Sequence, residues 1–380
     1  MPAPTIKDVA RLARVSTATV SAVVNRTSFV SAPLKARVVE AVAQLGYAPS
    51  GVARSLRTQA TRLIGIVVAD ITNPFFAELV RHIGEIAQGA GYSVLLCEAD
   101  HDAAKEQAAL QLLAAHRVDG VILAPTGPTE MYLEPPLSTF PKPIVMVDRF
   151  IPQAPFDTVS IDNKRAAFEL TRQLLSLGHT RLAILAGTRH LANSSDRLSG
   201  FQDALAAAGL EPKTAEIVYA DYRQDRAREL CHALLVAPDR PTALFISNNQ
   251  MLIGAMQAFS DLGLRCPADI SIASVDDSPW ASIFTPRLTA ARQPIEALAR
   301  HAVRILQSRM RGERPEMAER VVLSAEIFLR ESCAPPQPSA KSAKPPGVEA
   351  GTPADLPSRK RRTRSAAASP AAGGSSRQRA

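Results

Sequence analysis

The sequence has few cysteines, a single tryptophan and no long apolar run, and these shortages each exclude a class of protein. Its four cysteines, Cys97, Cys231, Cys266 and Cys333, form no Cys-x-x-Cys pair or Cys/His cluster. Neither a disulfide framework nor a zinc site is expected, and the thiols read as reduced. No stretch approaches the roughly 18 consecutive apolar residues of a membrane span, and the opening MPAPTIKDVARLARV lacks the apolar core of a secretory signal. A cytoplasmic protein with no membrane partner is expected. Gly-x-Gly-x-x-Gly and Gly-x-x-x-x-Gly-Lys are both absent, which removes the familiar phosphate cradles of nucleotide-dependent enzymes. The motifs single out no serine, histidine and acid set. His82, His101, His116 and His179 fall at helices or turns and read as surface or capping groups. The chain is therefore not expected to be an enzyme, and no cofactor, metal or catalytic residue is expected.

What is present is a long, globular composition. With 380 residues, 46% hydrophobic and 21% charged, the chain can bury sizeable cores and is read as two or three domains. Its net charge of +8 is unevenly spread. Residues 1–60 carry eight Lys/Arg against two acids and residues 335–380 nine against two, so the long middle is net acidic. Basic ends around an acidic middle suit a nucleic-acid contact flanking a ligand domain. For the C-terminal segment alone, a basic tail that aids solubility is an equal reading.

The head reads as three short helices. In IKDVARLARV, Ile6, Val9, Ala10 and Ala13 share one helical face. After a break at Arg14 and Val15, Ser16 can cap a second helix whose Val20, Val23 and Val24 face inward while Thr17, Ala18, Ser21 and Ala22 face out. A third starts at Ser31, carries Leu34, Val38, Val42 and Leu45 inward, and ends at Gly46. Helix, tight turn and capped second helix is the arrangement that lays the second helix in a DNA major groove. Small side chains there allow close approach, with hydroxyls for base edges or phosphates and methyls for thymine. An ordinary three-helix cap is the plainer alternative.

The residues TIKDVARLARVSTATVSAVVN, followed by VSAPLKARVVEAVAQLGYAPSGVARSLRT, strongly resemble the head of the LacI/GalR family of bacterial repressors. The resemblance implies base readout by Thr17, Ala18 and Ala22, and phosphate contacts by Thr5, Ser16, Thr19 and Asn25. Position 22, often arginine or histidine in relatives, is alanine here, so a bidentate guanine contact is missing. PSGVARSLRTQATRL resembles the family's hinge helix, in which Leu56, helped by Ala53, would wedge the minor groove of a kinked duplex.

From Leu63 short apolar runs alternate with amphipathic helices, the pattern of a doubly wound parallel sheet. The strands read LIGIVVA, SVLLC, GVILA and PIVMV, then LAILAG, EIVYA, TALFIS and SIASV. The order recurs, which predicts two similar lobes joined by crossing segments near residues 159–163 and 290–294. Ligands of open α/β sheets bind beyond the carboxyl ends of the strands, and those ends are polar here. They bear Asp70, Asn73, Phe75 and Phe76, then Asp148 and Arg149, Asn248 and Asn249, and Asp276 and Asp277; Arg197 in SSDRLSGF and Gln293 join them. Taken singly, an Asp or Asn at such a place caps the next helix at least as often as it binds a ligand. As a set, the carboxylates, guanidinium groups, amides and aromatic faces suit a small polyhydroxylated ligand. The family resemblance continues over 60–333, in DITNPFFAEL, RVDGVILAP, IDNKRAA, RLSGF, NNQMLIGAM and ADISIASVDDSPW. It implies inducer contacts by Asp148, Arg197, Asn248 and Asp276 and stacking by Phe75 and Phe76. Asn249 stands where relatives commonly carry Asp.

The expected organisation is thus an all-α helix-turn-helix head over 1–48, a hinge and linker over 49–61, and a two-lobed, periplasmic-binding-protein-like α/β sensor over 62–333. The Pro-, Ala-, Ser- and Gly-rich basic tail over 334–380 is expected to be disordered. The expected function is transcriptional regulation, most simply repression. A homodimer, or a higher assembly built from it, would bind a palindromic double-stranded DNA operator and respond to a sugar or sugar acid. A purine- or sugar-phosphate-responsive regulator is the alternative. A transport solute-binding protein would share the two lobes but not the basic helical head.

Overall fold

The structure, a computed structural model, describes residues 4–25, 28–47, 60–135, 137–313 and 317–337. Three helices form the head: α1 (Ile6–Ala13), α2 (Thr17–Asn25) and α3 (Ala32–Leu45). Their shared core is Val9, Ala10, Ala13, Val20, Val38 and Ala41, with Val23, Val24, Val42 and Leu45 packed on its margin. Arg14, at φ +50°, closes α1 in the left-handed region, and Gly46, at φ +61°, closes α3. Gly46 pays no Cβ penalty there.

The body is two sheets of the same design. The first contains β1 (Leu63–Val68), β2 (Ser93–Glu98), β3 (Gly120–Leu123), β4 (Ile144–Val147) and β5 (Asp157–Ile161), with β11 (Arg320–Leu323) at its edge. The second contains β6 (Leu182–Ala186), β7 (Glu216–Tyr219), β8 (Ala243–Ile246), β9 (Ser271–Val275) and β10 (Thr289–Arg292), with β12 (Glu326–Phe328) at its edge. The strand orders are β11-β5-β4-β3-β1-β2 and β12-β10-β9-β8-β6-β7. β12 runs antiparallel to β10, and the other pairings are parallel. β3, β4, β8 and β9 are buried throughout, as strands covered on both faces must be, and this explains the unbroken apolar sequences of β3, β4 and β8.

Helices α4 (Pro74–Gly89) and α11 (Ile295–Met310) cover one face of the first sheet and α5 (Ala103–Ala115) the other. A short α6 (Thr129–Leu133) follows β3. On the second sheet, α7 (Asn163–Ser176) and α8 (Ala192–Ala207) cover one face, and α9 (Gln224–Val236) and α10 (Asn249–Leu262) the other. The helix pairs meet at glycine: a Cβ on Gly200 would lie 2.0 Å from the Lys164 carbonyl oxygen, and one on Gly254 2.1 Å from that of Gln224. The Gly of RLSGF is thereby explained by packing.

The chain crosses between the lobes within both expected segments, just after β5 and just after β10. Two expectations need correction. β11 and β12 were not expected, and between them, at Ser324 and Ala325, the chain crosses a third time. Each is four residues or fewer, too short for a periodicity to emerge from its neighbours. His179 is no surface group. It is buried, and its ring bonds Thr242 Oγ1 (2.8 Å), Ser271 Oγ (3.1 Å) and the Ala334 carbonyl (2.9 Å), so it anchors the end of the body; burial lowers its pKa. The hinge residues Ala53 and Leu56, and the tail from 338, lie outside the described residues.

Candidate functional site

In the head, the first turn of α2 exposes Thr17 and Ala18, while Ser21, Ala22 and Asn25 are half-buried. Ser16 caps the helix: its Oγ accepts from the Thr19 amide at 3.1 Å and lies 2.9 Å from Thr19 Oγ1. Thr5 starts α1 by donating its amide (2.9 Å) and hydroxyl (2.6 Å) to Asp8, which holds that carboxyl below its usual range. Asn25 donates to the Ser21 carbonyl at 2.9 Å. The expected phosphate-holding side chains thus also shape the helix ends. Sequence reasoning missed Arg37, whose Nη2 donates to the carbonyls of Ala13 (2.5 Å) and Arg14 (3.0 Å) at the end of α1. These oxygens have no partner within the helix, so Arg37 fixes the turn that aims α2.

In the body, the strand order β2-β1-β3-β4-β5 and its copy in the second lobe put the topological switch between β1 and β3 and between β6 and β8. The carboxyl ends of the two sheets face each other there. A small cavity of about 10 Å³, room for about one water, is lined by Phe75, Phe76, Asp148, Arg149, Arg197, Asn248, Asp276 and Gln293 together with Asn73, Asn193 and Tyr222. The fold therefore brings together all eight residues expected from the sequence to bind the effector.

Two aspartates define its symmetry. Asp148 follows β4 at φ +66°, and Asp276 follows β9 at φ +74°. Each bonds its amide to the neighbouring strand, at Val159 O (3.0 Å) and Ala291 O (2.9 Å). A non-glycine residue in the left-handed region is strained, and such strain gathers at functional sites. Burial pushes the Asp276 carboxyl up; Arg197 and a 2.6 Å hydrogen bond from Gln293 Nε2 oppose it. Arg149 lies 3.4 Å from Asp148, donates to the Pro125 carbonyl at 3.0 Å, and sits over the rings of Phe76 and Tyr222. Arg197 donates to Asn163 Oδ1 (2.8 Å) and the Ser247 carbonyl (2.5 Å), joining the first crossing to the end of β8. Asn248 caps α10, and Asn73 caps α4. The capping and ligand readings of these asparagines are thus compatible, because Oδ1 caps while the amide nitrogen remains. Two carboxylates and two guanidinium groups leave the cavity without net charge.

Three other strand-end residues, Asp70, Asn249 and Asp277, lie outside this cavity. Asp70 bonds Thr72 and takes Gln250 Nε2 from the second lobe at 3.1 Å. Asp277 is held by Arg292 (2.6 Å) and Arg330 (2.5 Å). Tyr222 and Asn193 were missed. Tyr222 donates to Asn193 Oδ1 at 3.1 Å, and Asn193 Nδ2 approaches Asp148 at 3.3 Å. A signal existed for Tyr222: CEADH after β2 and YADYR after β7 are matched turns. They place His101 and Tyr222 at equivalent positions, both with positive φ, their rings 6.2 Å apart between the lobes.

Residues 5–50 match the family model described as bacterial regulatory proteins, lacI family, and residues 171–333 match that of a periplasmic binding protein-like domain. The chain is 35% identical over 330 residues to the HTH-type transcriptional repressor PurR of Photobacterium profundum, covering 86% of this chain and 98% of that one. Among solved structures it is similar to the lac repressor dimer bound to operator and the anti-inducer ONPF, with a TM-score of 0.78 at 28% identity over 88% of this chain and 100% of the other. It is also similar to a complex of the transcriptional regulator CelR with cellobiose, with a TM-score of 0.64 at 30% identity over 87% and 99%.

Proposed function

The chain belongs to the lacI family of bacterial regulatory proteins; from that premise, we propose that it is switched on its operator by a neutral sugar held between the two lobes. It is a DNA-binding transcriptional regulator with an effector-binding domain, not an enzyme. Among the described residues, no helix is long and apolar enough to cross a membrane.

The observation that carries the proposal is the convergence of Asp148, Arg149, Arg197 and Asp276 in one cavity whose charges balance. Carboxylates and guanidinium groups bond hydroxyls in pairs, and Phe76 with Tyr222 offers apolar faces to a ring. A dianionic phosphate would find two carboxylates opposing it. Two heads of a homodimer would read a palindrome with Thr17 and Ala18 in the major groove, Ala22 behind them, Thr5, Ser16, Thr19 and Asn25 at phosphates, and Leu56 with Ala53 at the hinge. The cytoplasm is where such a reading places it. A purine base is the second reading, favoured by the aromatic faces around Arg149.

Thermal shift of the full chain against ribose, glucose, cellobiose, gluconate and guanine tests it. A ligand at 100 times its Kd adds about 2.7 kcal/mol. A shift with a neutral sugar supports the proposal, and a shift confined to gluconate or guanine rejects it.

A further inference from the structure

Strands β2 and β7 hold the same place in the two sheets, beside β1 and β6 on the side away from the switch. The turn after each is built alike, and the two meet across the lobes. Asp100 and His101, at φ +48° and +55°, follow β2; Asp221 and Tyr222, at φ +53° and +61°, follow β7. Two consecutive non-glycine residues in the left-handed region are strained, and such a pair persists only where its surroundings hold it. Here each turn holds the other. The His101 and Tyr222 rings stack with centroids 6.2 Å apart and planes 24° from parallel. Arg223 donates to Asp100 Oδ1 at 2.9 Å and to the Asp100 carbonyl at 2.8 Å. Beside them Gln250 of the second lobe donates to Asp70 (3.1 Å) and Thr72 (2.8 Å) of the first.

One member of this contact can take up a proton near neutral pH. His101 Nδ1 is shut off from solvent without a partner, and a charged imidazole must donate from both ring nitrogens. The groups facing the ring come from both lobes. Arg149 after β4 and Arg223 before α9 oppose its charge, while Asp70 after β1 and Asp100 beside it favour it. Asp100 is already bonded to Arg223 and to Lys105, 2.7 Å away, and Asp70 to Thr72 and Gln250. Around the same groove, Glu98 accepts from the Ile71 amide (2.9 Å) and Arg228 pairs with Asp261 (2.8 Å), with Asp225, Glu229 and His232 also on α9. Burial and the two guanidinium groups prevail, and His101 is held at about 4 while the turns touch. Parting the lobes returns water to the ring and removes Arg223, so the imidazole regains its ordinary value near 6.5. Tyr222 also lines the effector cavity, where it donates to Asn193.

We infer that the turns Asp100-His101 and Tyr222-Arg223 form a proton-sensitive clasp between the lobes: closing it requires a neutral His101, and protonating that ring opens the sensor. The clasp acts whichever effector the cleft takes, so it does not rest on the sugar reading. The sign follows from linkage. A histidine that must be neutral in the closed form stabilises closure fully above about 6.5 and loses it as pH falls toward 4. Between pH 7.5 and 5.0 the closing equilibrium is expected to weaken roughly 25-fold.

The test is small-angle X-ray scattering of the full chain at pH 7.5, 6.0 and 5.0, with circular dichroism as the check on folding. The radius of gyration of the parent is expected to grow as pH falls to 5.0, while His101→Gln, which cannot take the proton, keeps the compact value throughout. Alongside it, NMR of chain labelled at histidine Cε1 follows the ring itself, the His101 signal being the one of seven that His101→Gln removes. Its midpoint in the parent is expected below pH 6. A radius that stays constant from pH 7.5 to 5.0 overturns the clasp. Equal growth in the parent and His101→Gln overturns it too, because the proton then acts elsewhere, and so does a His101 midpoint at 6.5.

Discussion

Replacing Arg197 removes more than a ligand contact. Its guanidinium is buried and donates to Asn163 Oδ1 at 2.8 Å and to the Ser247 carbonyl at 2.5 Å. Charged hydrogen bonds of this kind contribute about 1.5–3 kcal/mol each, so Arg197→Ala is expected to destabilise the body by about 3–6 kcal/mol. At about 2–4 °C per kcal/mol for a domain of this size, Tm should fall by about 6–24 °C. The loss should also depend on pH. The folded pKa of Asp276 is already raised by burial, against the pull of Arg197. An acid with a raised folded pKa costs stability as pH climbs through that pKa, and the cost vanishes below its unfolded value. Without Arg197 the folded pKa rises further, so the deficit at pH 7.5 should exceed that at pH 4.5. Arg197→Lys keeps the charge but cannot span both acceptors, and should fall between the two. Differential scanning fluorimetry at both pH values, beside an effector titration on labelled operator, measures these effects. A Tm within 2 °C of the parent, with an unaltered effector response, would show that Arg197 neither supports the body nor touches the effector.

Gly187→Ala would set a Cβ 2.0 Å from the Tyr222 ring; displacing the ring from Arg149 and Asn193 should weaken effector binding at least ten-fold in calorimetry while the head still binds operator. Arg37→Ala strands the Ala13 and Arg14 carbonyls, so operator affinity in gel shift should drop while effector affinity holds, and equal operator affinity would count against Arg37 as the support of the turn. His101 is held at about 4 by burial first, then by Arg149 and Arg223, with Asp70 and Asp100 opposing. Its lowered folded pKa means that stability is full above about 6.5 and is lost as pH falls toward 4, by about 3 kcal/mol; His101→Gln should flatten the Tm profile across that window.

Much of this was legible because strand ends are where a doubly wound sheet must put its polar chemistry. Asp148, Asn248 and Asp276 each follow a buried apolar run, and that local pattern located them. Asp277 follows the same run and was misassigned, since its fate is set by Arg292 and by Arg330, 53 residues away. His179 looks like a turn residue until the Ala334 carbonyl, 155 residues later, arrives to bond it. Tyr222 could be found only by aligning two turns, and β11 and β12 are too short to carry a period of their own. Local chemistry could be read from the residues, whereas contacts made by distant segments could not.

A regulator of this kind works only if cleft and head are coupled. The most direct test is fluorescence anisotropy of the full chain on a palindromic operator recovered by in vitro selection, with and without a saturating sugar from the thermal-shift panel. The sugar is expected to move the operator midpoint at least ten-fold in the parent and to leave it unmoved in Asp148→Asn/Asp276→Asn. A sugar that binds the parent yet leaves its operator midpoint in place would contradict it.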